Sequence, residues 1–334
     1  MPHTDYRLPA EWERQSATLL AWPHPRSDWS GRLPGIQREY KTLVQAIARR
    51  QNVLLLIPPG SREASDRLGP MPGLRLIEVP YDDTWVRDYG PITLVGGAGG
   101  ERLALDLHFN GWGGKYRSAQ DNRVNTLLAR HGLFEQLSFR QYLFELEGGA
   151  IECDGRGTLL VNWHCLHARQ PHLKRAEIEY ELHALLNVER IIGIDIEPLA
   201  GDDTDGHIDT LARFVQHRII AYQCQPDRQR QNRLVDQLAA LRTADHQPYE
   251  LIELPAPDGF DPTLPANYVN FVFVNGACLV PAYGVPADDQ ARDILARILP
   301  DREIESIPSA VLIEQYGGPH CATMHIPAAL GPLK

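Results

Sequence analysis

The sequence has few cysteines and no long apolar run, and each shortage excludes a class of protein. Its five cysteines are scattered without a CxxC pair, so neither a disulfide framework nor a zinc ribbon is predicted, and we expect reduced thiols. Nowhere do about 18 apolar residues follow one another, which argues against a transmembrane helix. Residues 1–28 lack the basic start and apolar stretch of a signal peptide, and we therefore expect a cytoplasmic protein.

An excess of basic residues is also missing. The chain has 43 acidic against 33 basic residues, a formal charge of -10 and a pI near 5.7. Nucleic acids and anionic membranes both favour a basic face, so we expect neither as a partner. A small cation would instead be attracted, although the acidity alone does not identify one.

Nucleotide and metal motifs are absent as well. Residues 113–116 (GGKY) lack the spacing and the Ser/Thr of a phosphate-binding P-loop, and no nicotinamide fingerprint is present. Residues 163–172 hold three histidines and a cysteine, but their spacing matches no standard metal site, and Trp163 and Leu166 indicate a partly packed loop. The sequence therefore predicts no cofactor and no metal.

Helix-length segments with apolar residues at helical spacing recur along the chain. They are residues 34–50, 118–133, 173–187, 227–243 and 287–298. After a longer first interval, successive helices are about 55 to 60 residues apart, as expected of a repeated supersecondary unit. Short strand-like runs fill the gaps, at residues 53–57, 74–79, 103–107, 159–161, 219–222, 251–254, 271–274 and 278–280.

Several predicted strands surround each helix, which favours mixed units containing hairpins over a doubly wound sheet. No long linker rich in proline, serine or glycine divides the 334 residues. We therefore predict a single α/β domain spanning residues 1–334, with five units arranged as a propeller-like ring. Loop ends of such a ring would meet at one end of its axis and form a central site.

Cys321 is the first candidate for that site. A cysteine is more often a small buried apolar residue than a catalyst, and reactivity requires access and a lowered pKa. In residues 317–323 (GGPHCAT), however, the two glycines permit a close backbone approach or a positive φ. His320 and Thr323 add polar groups that a core position would not need. This setting favours a nucleophile.

The acidic segment 201–210 (GDDTDGHIDT) supplies the second group of candidates. A solvated loop or a calcium loop would be the alternatives. An EF-hand would need an acid at Gly201 and a glutamate at Ala212, so the calcium interpretation fails. Strand alternation over residues 207–211 would place His207 and Asp209 on one face, where two ionisable groups would share a pocket wall.

Two further carboxylates are candidates because of the residues next to them in the sequence. Glu147 precedes two glycines after an apolar run, which predicts a position at a strand end, although a plain turn would give the same pattern. Asp88 lies in residues 81–91 (YDDTWVRDYGP), where Trp85 stands among charged and polar residues. An aromatic ring there could form an apolar wall for a flat cation.

Six segments, taken in order, resemble the agmatine deiminase family. They are residues 85–91 (WVRDYGP), 109–116 (FNGWGGKY), 147–149 (EGG), 203–209 (DTDGHID), 268–271 (YVNF) and 320–323 (HCAT). The resemblance spans nearly the whole chain, and the family is similar to bacterial peptidylarginine deiminases. It implies the five-bladed α/β propeller, or pentein fold, of guanidine-modifying enzymes, without a cofactor, and a homodimer or larger assembly.

The resemblance also implies a role for each candidate. The nucleophile would be Cys321, the acid/base His207, its partner Glu147, and the guanidinium ligands Asp88 and Asp209. This fits the chemistry of a guanidinium, whose paired N–H donors can be gripped by two carboxylates. The implied reaction converts agmatine to N-carbamoylputrescine and ammonia, a step toward putrescine, through an amidino-cysteine intermediate.

Alternatives remain for the substrate. The family resemblance also covers arginine within peptides, and a non-catalytic propeller that binds a cationic ligand would keep the same residues. For agmatine, the distal ammonium needs an acid, and Asp203 is the first choice with Asp205 as the fallback. Trp85 would line the pocket. Arg87 would either welcome an arginine carboxylate or brace Asp88.

Overall fold

The computed structural model describes residues 5–97, 100–132, 137–199, 201–225, 227–261 and 263–328. The strands are β1 Tyr6–Arg7, β2 Gln15–Ala21, β3 Asn52–Ile57, β4 Leu74–Glu78, β5 Ile92–Gly96, β6 Arg102–His108, β7 Ser138–Glu145, β8 Ile151–Cys153, β9 Thr158–Asn162, β10 Arg190–Ile194, β11 Ala212–Gln216, β12 Ile219–Gln223, β13 Glu250–Leu254, β14 Val272–Val274, β15 Ala277–Ala282, β16 Glu303–Pro308 and β17 Met324–Pro327.

The helices are α1 Leu33–Ala48, α2 Glu63–Leu68, α3 Val86–Tyr89, α4 Gly111–Gly114, α5 Val124–Arg130, α6 Trp163–Arg169, α7 Arg175–Leu186, α8 Arg228–Ala240 and α9 Ala287–Ile298. Of these segments, α4 is a kinked turn, because Trp112 and Gly113 have left-handed backbone angles. Within the described ranges, no helix combines the length and apolar character needed to cross a membrane.

The strands form five separate sheets of three or four strands. Their orders are β1-β5-β6-β7, β10-β9-β8, β11-β12-β13, β14-β15-β16 and β17-β2-β3-β4. In every sheet an antiparallel pair continues into a parallel pair, as β11–β12 continues into β12–β13; β1 adds a second antiparallel pair to its sheet, and β4 adds a second parallel pair to its own. A parallel pair needs a crossover connection, and α1, α5, α7, α8 and α9 provide one in each sheet.

The two ends of the chain meet in one sheet. The last strand, β17, pairs antiparallel with β2, with Met324 opposite Leu19. This pair corresponds to the hairpin of the other four sheets, although its strands come from opposite ends of the sequence. The repeated unit is therefore the same in all five sheets.

The crossover helices bury one apolar stripe each. In α1, Ile36, Tyr40, Leu43 and Ile47 are buried at helical spacing, as expected of an amphipathic surface helix. This helix contacts β3 of its own sheet and β16 of another sheet. Its buried face therefore contributes to joining neighbouring units as well as covering its own.

The element predictions compare well with the structure. All five predicted helices are present, and α5 begins late because residues 121–123 form a 3-10 turn; the predicted end at residue 133 lies outside the described residues. All eight predicted strands are confirmed. Two local predictions were wrong. Residues 163–169 form helix α6 rather than a loop, and Ile208–Thr210 form a 3-10 turn rather than part of a strand.

Candidate active site

A cavity with about 700 Å³ of empty space, part of it open to solvent, lies among loops from several sheets. Its walls are acidic and aromatic, with one thiol: they include Asp28, Asp83, Asp88, Asp203, Trp85, Trp112, Tyr116, Tyr316 and Cys321. Asp88 comes from the segment between β4 and β5, Asp203 from that between β10 and β11, and Cys321 from the turn before β17. The cavity therefore collects side chains that are far apart in the sequence.

Cys321 is nearly buried, with 5% of its surface exposed, and it lines this cavity. Its Sγ accepts a hydrogen bond from Asn270 Nδ2 at 3.3 Å and lies 3.6 Å from Asp209 Oδ2. The two preceding glycines make this packing possible. A β-carbon at Gly317 would lie 2.3 Å from the Trp85 ring, and one at Gly318 would lie 2.4 Å from Asn270 Oδ1. Close approach, not a positive φ, is therefore what requires glycine here.

The environment of Cys321 disfavours the thiolate in the absence of a bound cation. Burial raises the pKa of the Cys321 thiol well above its ordinary value, and the charges of Asp209 and Asp88 raise it further. Hydrogen bonds from Gly318 and Asn270 act in the opposite direction. A cation bound between the two carboxylates would offset their charge and so make the thiolate easier to form.

His207 and Glu147 form a buried pair. His207 Nε2 lies 3.0 Å from Glu147 Oε2, while His207 Nδ1 faces Asp88 Oδ1 at 3.8 Å and has no hydrogen-bond partner among the described residues. Burial opposes the charged form of His207, but Asp88, Cys165 and Glu147 outweigh it and raise its pKa well above the ordinary value. The imidazole is thus held in its charged form, with Nδ1 free.

Asp88 is held by two donors. Gly149 N–H donates to Oδ1 and Trp112 Nε1–H donates to Oδ2, each at 3.0 Å. Trp112 has φ +56°, a left-handed conformation that is uncommon for a bulky side chain. Burial, with the charges of Glu147 and Asp209, raises the pKa of Asp88 to about 6 in spite of nearby His207.

Asp209 is held in its orientation by His320. Its Oδ2 lies 2.7 Å from His320 Nδ1, whereas Oδ1 is buried and has no hydrogen-bond partner in the described part of the chain. Burial alone would raise the pKa of Asp209, but the hydrogen bond to His320 and the charge of His320 bring it below the ordinary value. The anionic form of Asp209 is therefore favoured, and its buried Oδ1 has no donor among the described residues.

The two acids predicted for a distal ammonium differ in position. Asp203 lines the cavity and accepts a hydrogen bond from the Tyr116 hydroxyl. Asp205 is instead paired with Lys115 at 2.7 Å and with Arg169 at 2.5 Å. The structure therefore makes Asp203 the available carboxylate.

Trp85 lines the cavity, as predicted, and its ring packs against Trp29. The guanidinium of Arg87 is committed elsewhere. It donates to Glu11 Oε2 at 3.2 Å and to the His320 carbonyl at 3.3 Å, and the side chain lines a second cavity. Arg87 therefore does not offer its charge to a ligand in the acidic cavity.

Sequence reasoning missed two residues of α6. Cys165 packs against the His207–Glu147 pair, and Arg169 Nε donates to Glu147 Oε1. The available signal was their spacing, since residues four apart lie on one face of a helix.

Ligand atoms of Glu147, Cys165 and His207 lie within 4.8 Å of one another, as in a metal site. Burial raises the pKa of the Cys165 thiol, however, and Glu147 already pairs with Arg169, so these residues fit proton transfer better than metal binding.

Known proteins resemble this chain over nearly its whole length. The model of the Porphyromonas-type peptidyl-arginine deiminase family matches residues 7–327. An agmatine deiminase of Pseudomonas putida is 34% identical, covering 98% of this chain and 97% of its own length. The structure of a C. jejuni agmatine deiminase with substrate bound superposes with a TM-score of 0.89 at 31% identity, covering 98% of this chain and 97% of that one.

A more distant structure shares the fold alone. Dimethylarginine dimethylaminohydrolase matches with a TM-score of 0.54 at 12% identity, over 93% of this chain and 100% of that one. The family resemblance inferred from the six sequence segments is confirmed by the family model and by relatives that extend over nearly the whole chain. The chain belongs to the Porphyromonas-type peptidyl-arginine deiminase family.

Proposed function

We propose that this protein hydrolyses the guanidinium of agmatine to give N-carbamoylputrescine and ammonia. One observation carries the choice of substrate. Besides Asp88, three carboxylates line the cavity, namely Asp28, Asp83 and Asp203, and no Lys or Arg side chain of the described residues does so. Agmatine carries a second cation at its far end, which such a wall would attract. The agmatine deiminases among the relatives support the same choice.

Asp88 and Asp209 are the proposed guanidinium ligands. Asp209 Oδ2 lies 3.6 Å from Cys321 Sγ, and Asp88 lines the same cavity as Cys321, so paired charge-assisted hydrogen bonds would hold the planar cation with its central carbon toward Sγ. Trp85 would cover the flat face or the methylene chain. Because the bound cation would offset both carboxylates, it would lower the pKa of the Cys321 thiol, and the thiol would lose its proton to solvent as the substrate binds.

The first chemical step forms a bond between Cys321 Sγ and the guanidinium carbon, and the C–N π electrons move to nitrogen. His207 then gives its proton to the departing nitrogen, the C–N bond breaks, and ammonia leaves an amidino-thioether on Cys321. The proton would come from Nδ1 of His207, which faces the proposed guanidinium ligand Asp88, because Nε2 is hydrogen-bonded to Glu147. Glu147 would stabilise the imidazolium and fix its orientation, as an orienting carboxylate does in other nucleophile–histidine systems.

Water completes the cycle. His207 takes a proton from the water as its oxygen bonds to the amidino carbon, and collapse of the second tetrahedral adduct breaks the C–S bond. The ureido product leaves, and the thiol is restored. None of these steps requires a redox or electron-carrying partner, since each bond formed or broken moves an electron pair between the substrate, water, Cys321 and His207.

We also infer that the five sheets close around one axis as a five-bladed α/β propeller within one domain. The support is the common strand order of the sheets, the sheet shared by both chain ends, and the likeness to dimethylarginine dimethylaminohydrolase. The cytoplasmic location and the homodimer or larger assembly stay predictions of the sequence.

The decisive experiment compares ammonia release from agmatine and from a blocked arginine amide. We expect turnover of agmatine far above that of the amide, together with an amidino adduct on the Cys321 peptide after quenching, which Cys321→Ala abolishes. Preference for the arginine amide would replace the proposal with peptidyl-arginine deimination. Agmatine binding by fresh, reduced protein without any ammonia release would replace it with a non-catalytic binding role.

A further inference from the structure

His320 bridges two buried carboxylates. Its Nδ1 lies 2.7 Å from Asp209 Oδ2, and its Nε2 lies 2.6 Å from Glu11 Oε2. Both ring nitrogens therefore lie within hydrogen-bonding distance of a carboxyl oxygen, and a ring N–H at either position can donate to its carboxylate. These are charge-assisted hydrogen bonds, which are stronger and better oriented than bonds between neutral groups.

The far end of this bridge is firmly anchored. Glu11 Oε2 accepts from Arg87 Nη2 at 3.2 Å and from Arg213 Nη2 at 3.1 Å, while Oε1 accepts from the Phe273 backbone N–H at 2.9 Å. Arg213 is itself paired with buried Glu152. The cluster therefore sets three acidic side chains, Glu11, Glu152 and Asp209, against the guanidinium groups of Arg87 and Arg213 and the ring of His320.

The near end of the bridge reaches the reacting groups. His320 directly precedes Cys321, and the backbone N–H groups of both residues donate to Asn270 Oδ1, at 3.0 and 3.3 Å. With Oδ2 engaged by His320, Asp209 keeps only its buried Oδ1 free. His320 lines the second cavity and is not among the residues that line the acidic one, so its side chain is placed to act through Asp209 rather than on a ligand.

We propose that His320 is a positioning residue, which holds Asp209 as an oriented anion so that its free oxygen receives the substrate guanidinium beside Cys321. This inference rests on the proposed deimination, since it assigns Asp209 to guanidinium binding. The role requires the donor at Nδ1. The donor at Nε2 anchors the ring to Glu11 and does not touch Asp209.

Two substitutions separate these donors. In His320→Asn, the side-chain amide N–H can take the place of Nδ1–H and still reach Asp209. In His320→Gln, the longer side chain places its amide near the Nε2 position, toward Glu11, and leaves Asp209 Oδ2 without its donor. A matched control is His325→Gln, because His325 is partly buried, lies 3.8 Å from Glu11 Oε2 and shares a hydrogen bond with Arg87.

The test measures how fast Cys321 is alkylated by two alkyl chlorides, chloroacetamidine and chloroacetamide. In both reactions the Cys321 thiolate forms an S–C bond and chloride leaves with the C–Cl electron pair. Only the amidine is a planar cation that the carboxylates can hold. The two rates are followed on the Cys321 peptide by mass spectrometry. Because both depend equally on the reactivity of the thiolate, their ratio reports how well the carboxylates bind a planar cation.

We expect a strong amidine preference in the wild-type protein and in His325→Gln, a loss of about tenfold or more in His320→Gln, and retention of most of the preference in His320→Asn, since a hydrogen bond to a charged group is involved. Equal losses in the Asn and Gln variants, an unchanged ratio in His320→Gln, or no preference in the wild-type protein would overturn the proposal. Thermal unfolding identifies a variant that has lost its fold. Failure of the wild-type protein to turn over agmatine, with the ratios as expected, would instead refute the proposed function alone.

Discussion

Gly149 lies against His207 so closely that a β-carbon at position 149 would be 2.5 Å from His207 Nδ1. The same β-carbon would lie 2.9 Å from Asp88 Oδ1, to which the Gly149 N–H donates. Real side chains do not tolerate such distances, so the acid/base candidate and the guanidinium-ligand candidate can approach each other only across a glycine. The glycine that follows Glu147 and Gly148 is therefore part of the geometry of the site.

Gly149→Ala should consequently impair catalysis more than folding. We expect the added methyl group to push His207 and Asp88 apart and to lower kcat/KM for agmatine by about 100-fold or more, since misplacement of about 1 Å can cost that much. Steady-state kinetics and thermal unfolding would measure the two effects. Gly31→Ala is the control, because a β-carbon there meets nothing within 4 Å. Unchanged agmatine kinetics in Gly149→Ala would show that the close contact has no catalytic importance.

Glu147→Gln tests the orientation of His207. The amide keeps the size of the side chain but removes the charge that stabilises the imidazolium, so kcat should fall by about 10²- to 10⁴-fold with little change in KM, by analogy with orienting carboxylates in other nucleophile–histidine sites. Glu145→Gln is the control. Glu145 lies two residues earlier and accepts a hydrogen bond from Asn110 rather than from His207, so this variant should keep full activity. A large rise in KM with kcat retained would contradict the assigned role.

The sequence predicted the crossover helices because apolar residues recur in them at helical spacing, as on the buried face of α1. Several strands were not predicted because they lack a clear periodic pattern of apolar residues. β8 is only three residues long, and β11 contains Arg213, which is fully buried by its pairing with Glu152 and Glu11. A short strand with a buried cation carries almost no periodic pattern, and its place depends on distant partners.

In the candidate site, too, local sequence motifs identify some residues, whereas others are recognised only in the folded chain. Short motifs around Cys321, His207 and Glu147 were sufficient to nominate them, since glycines and polar groups stand next to them in the sequence. Glu11, which holds His320, is 309 residues away from it, and Arg169, which holds Glu147, is 22 residues away. No local pattern links such residues, so the supporting hydrogen bonds become visible only in the folded chain.

The assignment of the distal ammonium predicts different results for two neighbouring acids. Asp203→Asn should raise KM for agmatine about tenfold, which corresponds to about 1.4 kcal/mol, because Asp203 lines the cavity and would pair with the ammonium. Butylguanidine, which lacks that ammonium, should be turned over equally by the variant and the wild-type protein.

Asp205→Asn should instead leave the discrimination between agmatine and butylguanidine unchanged, since Asp205 is paired with Lys115 and Arg169. Loss of these pairs should appear as lower thermal stability. If Asp205→Asn and not Asp203→Asn removed the preference for agmatine, the fallback assignment would be the correct one.

The pH dependence of kcat/KM should have an acidic limb set by Asp88. Burial raises the pKa of this carboxyl to about 6, so the group is anionic above that pH and becomes protonated as the pH falls through it. Protonated Asp88 cannot pair with a guanidinium, and because kcat/KM reports ionisations of the free enzyme, the value for agmatine should decline below about pH 6. Trp112→Phe removes a hydrogen bond that stabilises the Asp88 anion, so it should move this limb to higher pH. Trp163→Phe should leave the limb in place, because the Trp163 ring packs against the Arg175 guanidinium. A limb that stays in place in Trp112→Phe would assign the ionisation to another group.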